Sequence, residues 1–191
     1  MTETKKESSA KAILLPTLVL FLIAGVAALL LGFVNDMTKP VIARRETEET
    51  AAAMRAVLAA ADSFSEARHA ADGTLYYVAY GADGNVCGYV FTTHGNGYGG
   101  DITVMTGIDA SGAVTGIEFL SIDETPGMGM KAQNEPFRSQ FLGKTGRLTA
   151  SKTAASDTEI QAITGATITS NAVTKAVNDA LACFAQIDGE G

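Results

Sequence analysis

Three short segments rich in glycine and hydroxyl residues interrupt the regular patterns of this 191-residue chain. Glycine lets a ligand come close to the backbone, and a Ser or Thr hydroxyl can donate a hydrogen bond, accept one or be modified. Segments of this composition are therefore the places where binding or chemistry is expected. They are Gly95–Gly100, Glu124–Gly129 and Thr164–Ser170.

The Thr164–Ser170 segment leads into an amphipathic pattern typical of a helix. Thr169 or Ser170 is placed to act as the N-cap, while Gly165 and Ala166 leave the backbone accessible. The free N–H groups and the dipole of a helix N-terminus attract an anion, and a phosphate in particular. The residues alone therefore leave two interpretations open, an ordinary helix cap and a phosphate site.

The other two segments have the composition of turns. Gly95–Gly100 lacks the lysine of a P-loop and no helix follows it, which favours a flexible connector or a tight turn from which Tyr98 projects toward a planar ligand. In Glu124–Gly129, Pro126 stiffens the backbone and the glycines open it, which is again typical of a turn. Neither segment identifies a ligand by itself.

Hydrolytic and metal chemistry find little support in the sequence. His69 and His94 have no catalytic neighbours nearby in the chain, so no Ser–His–Asp set is indicated. Cys87 and Cys183 lie far apart without a CxxC pattern, which argues against a zinc or iron–sulfur site within the chain. Both cysteines are interpreted as core residues, with a disulfide between them as the alternative.

An apolar stretch near the N-terminus is long enough to cross a bilayer. Residues 12–35 are 24 residues without a charge, and a hydrocarbon layer of about 30 Å requires about 20 in a helix. A cleaved signal peptide has a shorter apolar region, and a buried core helix need not be apolar on every face. The sequence predicts a leader over 1–11 and a transmembrane helix over 12–35. Three basic residues on each side leave its orientation open.

The residues after this stretch predict a second helix. Thr38, Lys39 and Pro40 indicate a short exit, and Glu46 opens an alanine-rich run that reaches about Ala61. The acidic first turn suits the positive end of the helix dipole. Apolar residues at helical spacing should pack one face of this helix on the outer domain. They are Met54, Val57, Leu58 and Ala61.

Strand patterns fill the middle of the chain, and a helical pattern ends it before Gly189. Strands are predicted over 75–80, 86–93, 102–109 and 113–122, joined as hairpins by turn residues. We therefore expect an α+β fold, with a single N-terminal transmembrane helix followed by a mostly antiparallel sheet with flanking helices. A juxtamembrane helical segment would occupy 36–72, and the outer domain 73–191. The apolar positions of the final helix are Val173, Ala176, Val177, Ala180, Leu181 and Phe184.

The charge balance excludes one class of partner. The chain has 14 basic and 21 acidic residues, and setting aside three lysines and two glutamates before residue 36 leaves 11 and 19, a net charge of −8. An acidic surface repels phosphate backbones, so no nucleic-acid partner is expected.

Taken together, the segments resemble the G subunit of the ion-translocating Rnf electron transport complex. They are more broadly similar to the FMN-binding domain shared with the C subunit of the sodium-pumping NADH:quinone reductase. The resemblance covers the N-terminal span, the turn at 97–100, the Glu124–Gly129 turn and, most specifically, Thr164–Ser170. It implies that 73–191 is a covalent FMN-binding domain. It also implies that Thr167 is joined by a phosphoester to FMN, delivered from FAD by a separate flavin transferase.

The resemblance also implies which other residues contact the flavin. In relatives the Glu-Thr-Pro-Gly turn lies against the isoalloxazine ring, and Met128 stands where the family often has leucine. The acid that usually stands three residues before the first hydroxyl of the motif is Gln161 here, with Asp157 as the nearest acid upstream. The implied cofactor contacts besides Thr167 are Tyr98, Glu124, Thr125, Gly127, Met128, Thr164, Gly165, Ala166, Thr169 and Ser170.

By this resemblance the chain relays electrons within a membrane-bound complex that passes them between ferredoxin and NAD and moves ions. It would lack a complete active site of its own and would not bind NAD. Its N-terminus would be cytoplasmic and its flavin domain outside, and its partners would be the other membrane subunits. One alternative is the C subunit of the quinone reductase, whose chains are usually longer between anchor and motif. Another is a non-redox, membrane-tethered binding or assembly module in which the threonine segment is only a helix cap.

Overall fold

A computed structural model of the chain describes residues 3–153 and 156–188. Residues 1–2 of the predicted leader, and Gly189 at the predicted end of the last helix, lie outside the described residues. The chain separates into two compact units, the first ending at Glu48 and the second beginning at Glu49.

One long helix, α1, runs from Glu3 to Val57. The predicted exit at Thr38, Lys39 and Pro40, and with it a separate helix opening at Glu46, is wrong, because the helix continues through these residues. Pro40 costs the helix one hydrogen bond and crowds the preceding turn, but the alanine- and glutamate-rich sequence that follows has high helix propensity. The helix also ends at Val57, short of the expected Ala61.

The apolar part of α1 has the length and composition of a membrane span. Among the described residues, the helical stretch Ile13–Val57 is the one that is long and apolar enough to cross a membrane. Its large apolar side chains between Ile13 and Val34 are exposed. A helix that is apolar all round is typical of a segment that meets lipid or a protein interior.

The second unit is built on a six-stranded sheet. Its strands are β1 Ser63–Phe64, β2 Arg68–His69, β3 Leu75–Tyr80, β4 Val86–Asn96, β5 Asp101–Asp109 and β6 Val114–Ser121. The strand order is β1-β3-β4-β5-β6, with β2 also paired to β3. Every pairing is antiparallel, which confirms the predicted type of sheet. The two shortest strands, β1 and β2, were not predicted.

A helix covers each face of this sheet. Helix α3, Thr167–Asp188, packs on one face, and Thr93 Oγ1 on β4 donates to Ala176 O at 2.9 Å. The end of α1 packs on the other face, where Thr115 Oγ1 donates to Val57 O at 2.6 Å. All six apolar positions predicted for the last helix are buried. Three of the four predicted for the earlier one are buried as well, and Ala61 is partly so.

The chain between the sheet and α3 completes the core on the α3 side. It contains a 3₁₀ turn at Gly129–Gln133, the short helix α2 at Glu135–Arg138 and a second 3₁₀ turn at Ser139–Phe141. A parallel pair follows, β7 Thr149–Ser151 and β8 Glu159–Gln161. No strand was predicted there. These elements bring Phe137, Phe141, Leu148 and Ile160 into the core.

Both cysteines are free and serve as packing residues. Cys183 is buried in the cluster beneath α3, whereas Cys87 packs against the cluster beneath α1. Burial, with a smaller contribution from Asp72, raises the pKa of the Cys183 thiol to about 11. The two thiols lie on opposite faces of the sheet, so the disulfide alternative is excluded. The interpretation as a core residue is confirmed for Cys183, whereas Cys87 is only partly buried.

One buried hydroxyl in the sheet has no partner, and its removal is expected to stabilise the fold. Thr106 Oγ1 on β5 is the single buried side-chain N or O of the described residues that lacks a hydrogen bond. Because valine has nearly the same shape, Thr106→Val should raise the free energy of unfolding of the second unit by about 1 kcal/mol. Urea denaturation measures this. Thr93→Val is the matched control, because it removes a bonded hydroxyl and should lower stability; a loss of stability in Thr106→Val would contradict the prediction.

Candidate functional site

The three candidate segments meet at one cavity of about 440 Å³. They come from the turn between β4 and β5, the chain after β6 and the start of α3. A volume of this size lies within the range of about 300–1,000 Å³ typical of small-molecule sites. The lining residues are Tyr98, Glu124, Thr125, Met128, Gly129, Gly165, Ala166, Thr167, Ile168 and Thr169.

The first wall is a tight hairpin turn. Strand β4 extends to Asn96 and β5 begins at Asp101, so the connection is shorter than the sequence suggested. The turn is closed by the Gly97 N–H, which donates to Gly100 O at 2.9 Å. The Tyr98 side chain is 73% exposed and lines the cavity. Of the two interpretations of this segment, a flexible connector and a tight turn from which Tyr98 projects, the structure shows the tight turn.

The carboxylate of Glu124 joins this turn to the second wall. Glu124 is only 6% exposed, and its Oε1 accepts a hydrogen bond from the Tyr98 N–H at 2.6 Å. A Cβ atom at Gly97 would collide with Oε1, and one at Gly129 would collide with Oε2. Glycines from two different segments thus leave the space that the carboxylate fills.

A second turn places Met128 beside the start of α3. The Met128 N–H donates to Thr125 O at 3.1 Å, and Gly127 has a φ of 77°. Proline at the second position and a glycine with positive φ at the third are typical of a type II turn. The Met128 side chain is 49% exposed, and a Cβ at Gly165 would lie 3.4 Å from its Cε. Gly127 therefore shapes the wall but does not line the cavity.

The third wall is the beginning of α3. The Ala166 N–H donates to Ile163 O at 2.9 Å and Gly165 has a φ of 81°, so a tight turn leads directly into the helix at Thr167. The expectation that Thr169 or Ser170 caps the helix is wrong, because both lie inside it. The residue before the helix is Ala166, whose side chain cannot accept a hydrogen bond.

This geometry leaves backbone donors without an intrahelical acceptor at the wall of the cavity. The first intrahelical bond of α3 runs from the Ser170 N–H to Ala166 O at 3.0 Å. The N–H groups of Thr167, Ile168 and Thr169 therefore have no acceptor within the helix. All three residues line the cavity. A helix N-terminus of this kind, 22 residues long, is favourable for an anion such as a phosphate.

The hydroxyls of Thr164–Ser170 differ in accessibility. Thr169 and Ser170 are buried, whereas Thr164 and Thr167 are exposed. Of the two exposed threonines, Thr167 lines the cavity and Thr164 does not. Thr167 is thus the hydroxyl in this described segment that is both accessible from outside and located at the cavity.

The structure also places residues that the sequence did not single out. Gly129 and Ile168 line the cavity, whereas Gly127, Thr164 and Ser170, which were predicted as contacts, do not. Ile168 is 53% exposed; an exposed apolar residue in the first turn of an amphipathic helix was the available signal. Gln161 lies in β8, where its N–H donates to Gln140 Oε1 at 2.7 Å.

A larger cavity along α3 is a weaker candidate. It has a volume of about 820 Å³ and lies between α3 and residues 146–150. Several of its polar groups are already paired: Asn178 exchanges two hydrogen bonds with the backbone of Leu148, and Lys175 Nζ lies 2.6 Å from Asp179 Oδ2. The smaller cavity keeps free backbone donors, so we assign the candidate site there.

Comparison with known proteins gives the class to which this fold and cavity correspond. Residues 97–182 match the FMN-binding domain family. The match begins at the Tyr98 turn, ends within α3 and includes all three walls of the cavity.

Relatives that match nearly the whole chain identify the family more narrowly. The G subunit of the Na(+)-translocating ferredoxin:NAD(+) oxidoreductase complex of Acetobacterium woodii is 36% identical, over 93% of this chain and 94% of its own length. The G subunit of the proton-translocating ferredoxin:NAD(+) oxidoreductase complex of Clostridium ljungdahlii is 33% identical over 95% of both chains. The chain belongs to the family of Rnf G subunits.

Solved structures with a similar fold support the architecture. The C subunit of the Na(+)-translocating NADH-quinone reductase of Parabacteroides distasonis has a TM-score of 0.51 and 25% identity, over 60% of this chain and 62% of that one. NqrC of Shewanella oneidensis has a TM-score of 0.53 and 17% identity, over 70% and 74%. The second likeness concerns the fold alone.

Proposed function

We propose that the chain is the electron-carrying subunit of a membrane-bound, ion-translocating ferredoxin:NAD oxidoreductase and that it holds FMN covalently on Thr167. The observation that carries the proposal is the position of Thr167, an exposed hydroxyl at the first residue of α3 and at the wall of the cavity. The functions for which the Acetobacterium and Clostridium relatives are named, and the match to an FMN-binding domain, support it.

The residues around the cavity fit the two chemically different ends of FMN. The unpaired N–H groups of the first turn of α3 suit the phosphate. Three exposed apolar side chains, those of Tyr98, Met128 and Ile168, suit a flat ring system. Methionine adapts its shape to such a ring, and sulfur makes favourable contacts with aromatic groups.

Attachment of FMN transfers the FMN half of FAD to the Thr167 hydroxyl. The Thr167 oxygen forms a bond to the phosphorus of the FMN half of FAD. The pyrophosphate bond of FAD breaks, AMP leaves with the bridging oxygen, and the hydroxyl proton passes to solvent or to the transferase. A flavin transferase supplies this catalysis.

The long apolar helix supports a membrane location. In the proposed topology, residues 12–35 of α1 cross the membrane, the N-terminus is cytoplasmic and residues 73–191 lie outside. A covalent bond would then keep FMN from diffusing away from the outer surface. The bound flavin supplies the redox chemistry, while the chain orients it and sets its electrostatic surroundings. The partners would be the other membrane subunits of the complex.

Sequence identity favours an Rnf G subunit over the quinone-reductase alternative. The Acetobacterium G subunit is 36% identical to this chain, and the Parabacteroides quinone-reductase chain is 25% identical. The alternative of a non-redox module was based on the threonine segment acting as a helix cap. That basis is weakened, because Ala166 occupies the cap position.

Mass spectrometry of the intact chain tests the proposal. The full-length protein is produced with a flavin transferase in cells that supply FAD, and in a matched culture without the transferase. We expect the peptide that contains Thr167 to gain the mass of FMN less one water in the first culture and to be unmodified in the second. An unmodified peptide in both cultures would refute the covalent site.

A further inference from the structure

Ser170 makes a pair of hydrogen bonds that closes the turn before α3. Its Oγ accepts the Ile163 N–H at 3.0 Å and donates to Ala166 O at 2.9 Å. The side chain is completely buried and does not line the cavity. The hydroxyl therefore joins both ends of the Ile163–Ala166 turn to the fourth residue of the helix.

The turn has few other hydrogen bonds. Thr164 and Gly165 are exposed, and the residue at the cap position is an alanine, so no side chain closes the helix end from outside. Besides the bonds from Ser170, the turn is closed by the Ala166 N–H to Ile163 O. Ile163 also packs against the core and Ala166 is buried. The direction in which the chain enters α3, and hence the place of Thr167, depends on this packing together with the few hydrogen bonds.

We propose that Ser170 is a positioning residue for the modification of Thr167 and does not contact the cofactor. The inference rests on the proposed function and changes the role that the sequence suggested for Ser170. Without its hydroxyl, the partly buried Ile163 N–H loses its acceptor and the turn gains freedom. A transferase that must bring the Thr167 oxygen in line with a phosphorus atom is sensitive to such displacement, because transfer rates depend steeply on the geometry of attack.

The test compares two variants that each lose one buried hydroxyl of α3. Ser170→Ala removes the two bonds to the turn. Thr174→Val is the matched control, because Thr174 is also buried. Its Oγ1 donates to Ser170 O at 2.8 Å, one helical turn further along α3 than the bond from Ser170 to Ala166. Full-length wild-type and variant chains serve as substrates for purified flavin transferase with FAD, and the rate of FMN transfer is measured.

We expect kcat for FMN transfer to Ser170→Ala to fall at least about tenfold, while the KM for the chain changes little. The transferase should still bind the variant, but the Thr167 hydroxyl would be poorly aligned for attack on the phosphorus. Thr174→Val should react like the wild type. Hydrogen–deuterium exchange should be faster at Ile163 in Ser170→Ala alone. This exchange measurement reports on the turn independently of the flavin.

The possible outcomes distinguish a failure of the positioning role of Ser170 from a failure of the proposed function. Normal loading of the wild type with equal rates in Ser170→Ala, or an equal loss of rate in both variants, would overturn the positioning role. Unchanged exchange at Ile163 in Ser170→Ala would also overturn it. A wild-type chain that accepts no FMN would refute the proposed function and this inference with it.

Discussion

A Thr167→Val chain is expected to carry no covalent flavin when the wild-type chain made in the same cells is loaded. Valine keeps the β-branched shape of threonine but has no oxygen to form a phosphoester. The cavity and the backbone N–H groups of α3 should remain, so the loss concerns the bond and not the fold. Flavin fluorescence that stays with the denatured protein measures the covalent fraction, and we expect it to fall to background.

Two matched variants define what this loss means. Thr167→Ser keeps a hydroxyl at the same helix position and should retain covalent flavin. Thr164→Val removes the other exposed hydroxyl of the segment, three residues upstream and away from the cavity, and should also remain loaded. Fluorescence that persists in Thr167→Val but disappears in Thr164→Val would move the attachment site to Thr164.

The parts of the fold that the sequence predicted are those with a long periodic pattern. The last helix buries Val173, Ala176 and Val177 because residues three and four apart share one helix face. The strands at 75–80 and 102–109 were recognised by the same kind of signal, since a sheet covered on both faces requires apolar residues along its strands.

Elements that depend on distant contacts were not predicted. Strands β1 and β2 contain two residues each and β7 and β8 three, too few to show a period. Their place is set by the partner strand, as when Ser63 and Phe64 pair with Tyr80 and Ala79. Such a pairing leaves no recognisable pattern in the local sequence.

The start of α3 shows how a correct preference gives a wrong position. Ser and Thr are favoured at N-caps, which made Thr169 or Ser170 the expected boundary. The Ser170 hydroxyl instead bonds to the carbonyl four residues before it, a second arrangement that serine adopts inside helices. The choice between the two depends on the Ile163 N–H, which also needs an acceptor.

The site itself was predicted as three separate segments, and the bond that unites two of them was not. Glu124 and Tyr98 lie 26 residues apart and are joined by the hydrogen bond from the Tyr98 N–H. The glycines at 97 and 129 leave room for the same carboxylate. The sequence showed glycines and an acid, but only the three-dimensional structure shows that these glycines lie against the Glu124 carboxylate.

This enclosed carboxylate leads to the second large effect that we expect. Glu124→Gln should leave FMN attached, because Thr167 is unchanged, but should raise the midpoint potential of the flavin. The amide oxygen still accepts the Tyr98 N–H, while a negative charge that opposes electron uptake is removed from the cavity wall. A unit charge in the wall of a partly buried site should shift the midpoint potential on the order of tens of millivolts.

Redox titration of the intact protein, followed by the visible absorption of the flavin, measures this shift. Asp123→Asn is the matched control, because it removes the same charge from the adjacent residue, which is exposed, and solvent screens an exposed charge. Glu124→Ala should shift the potential and also change the absorption band, since it abolishes the bond that holds the Tyr98 turn. If Glu124→Gln shifts the potential no more than Asp123→Asn does, the charge of Glu124 does not act on the flavin. The carboxylate would then have only a structural role, through its hydrogen bond to the Tyr98 N–H.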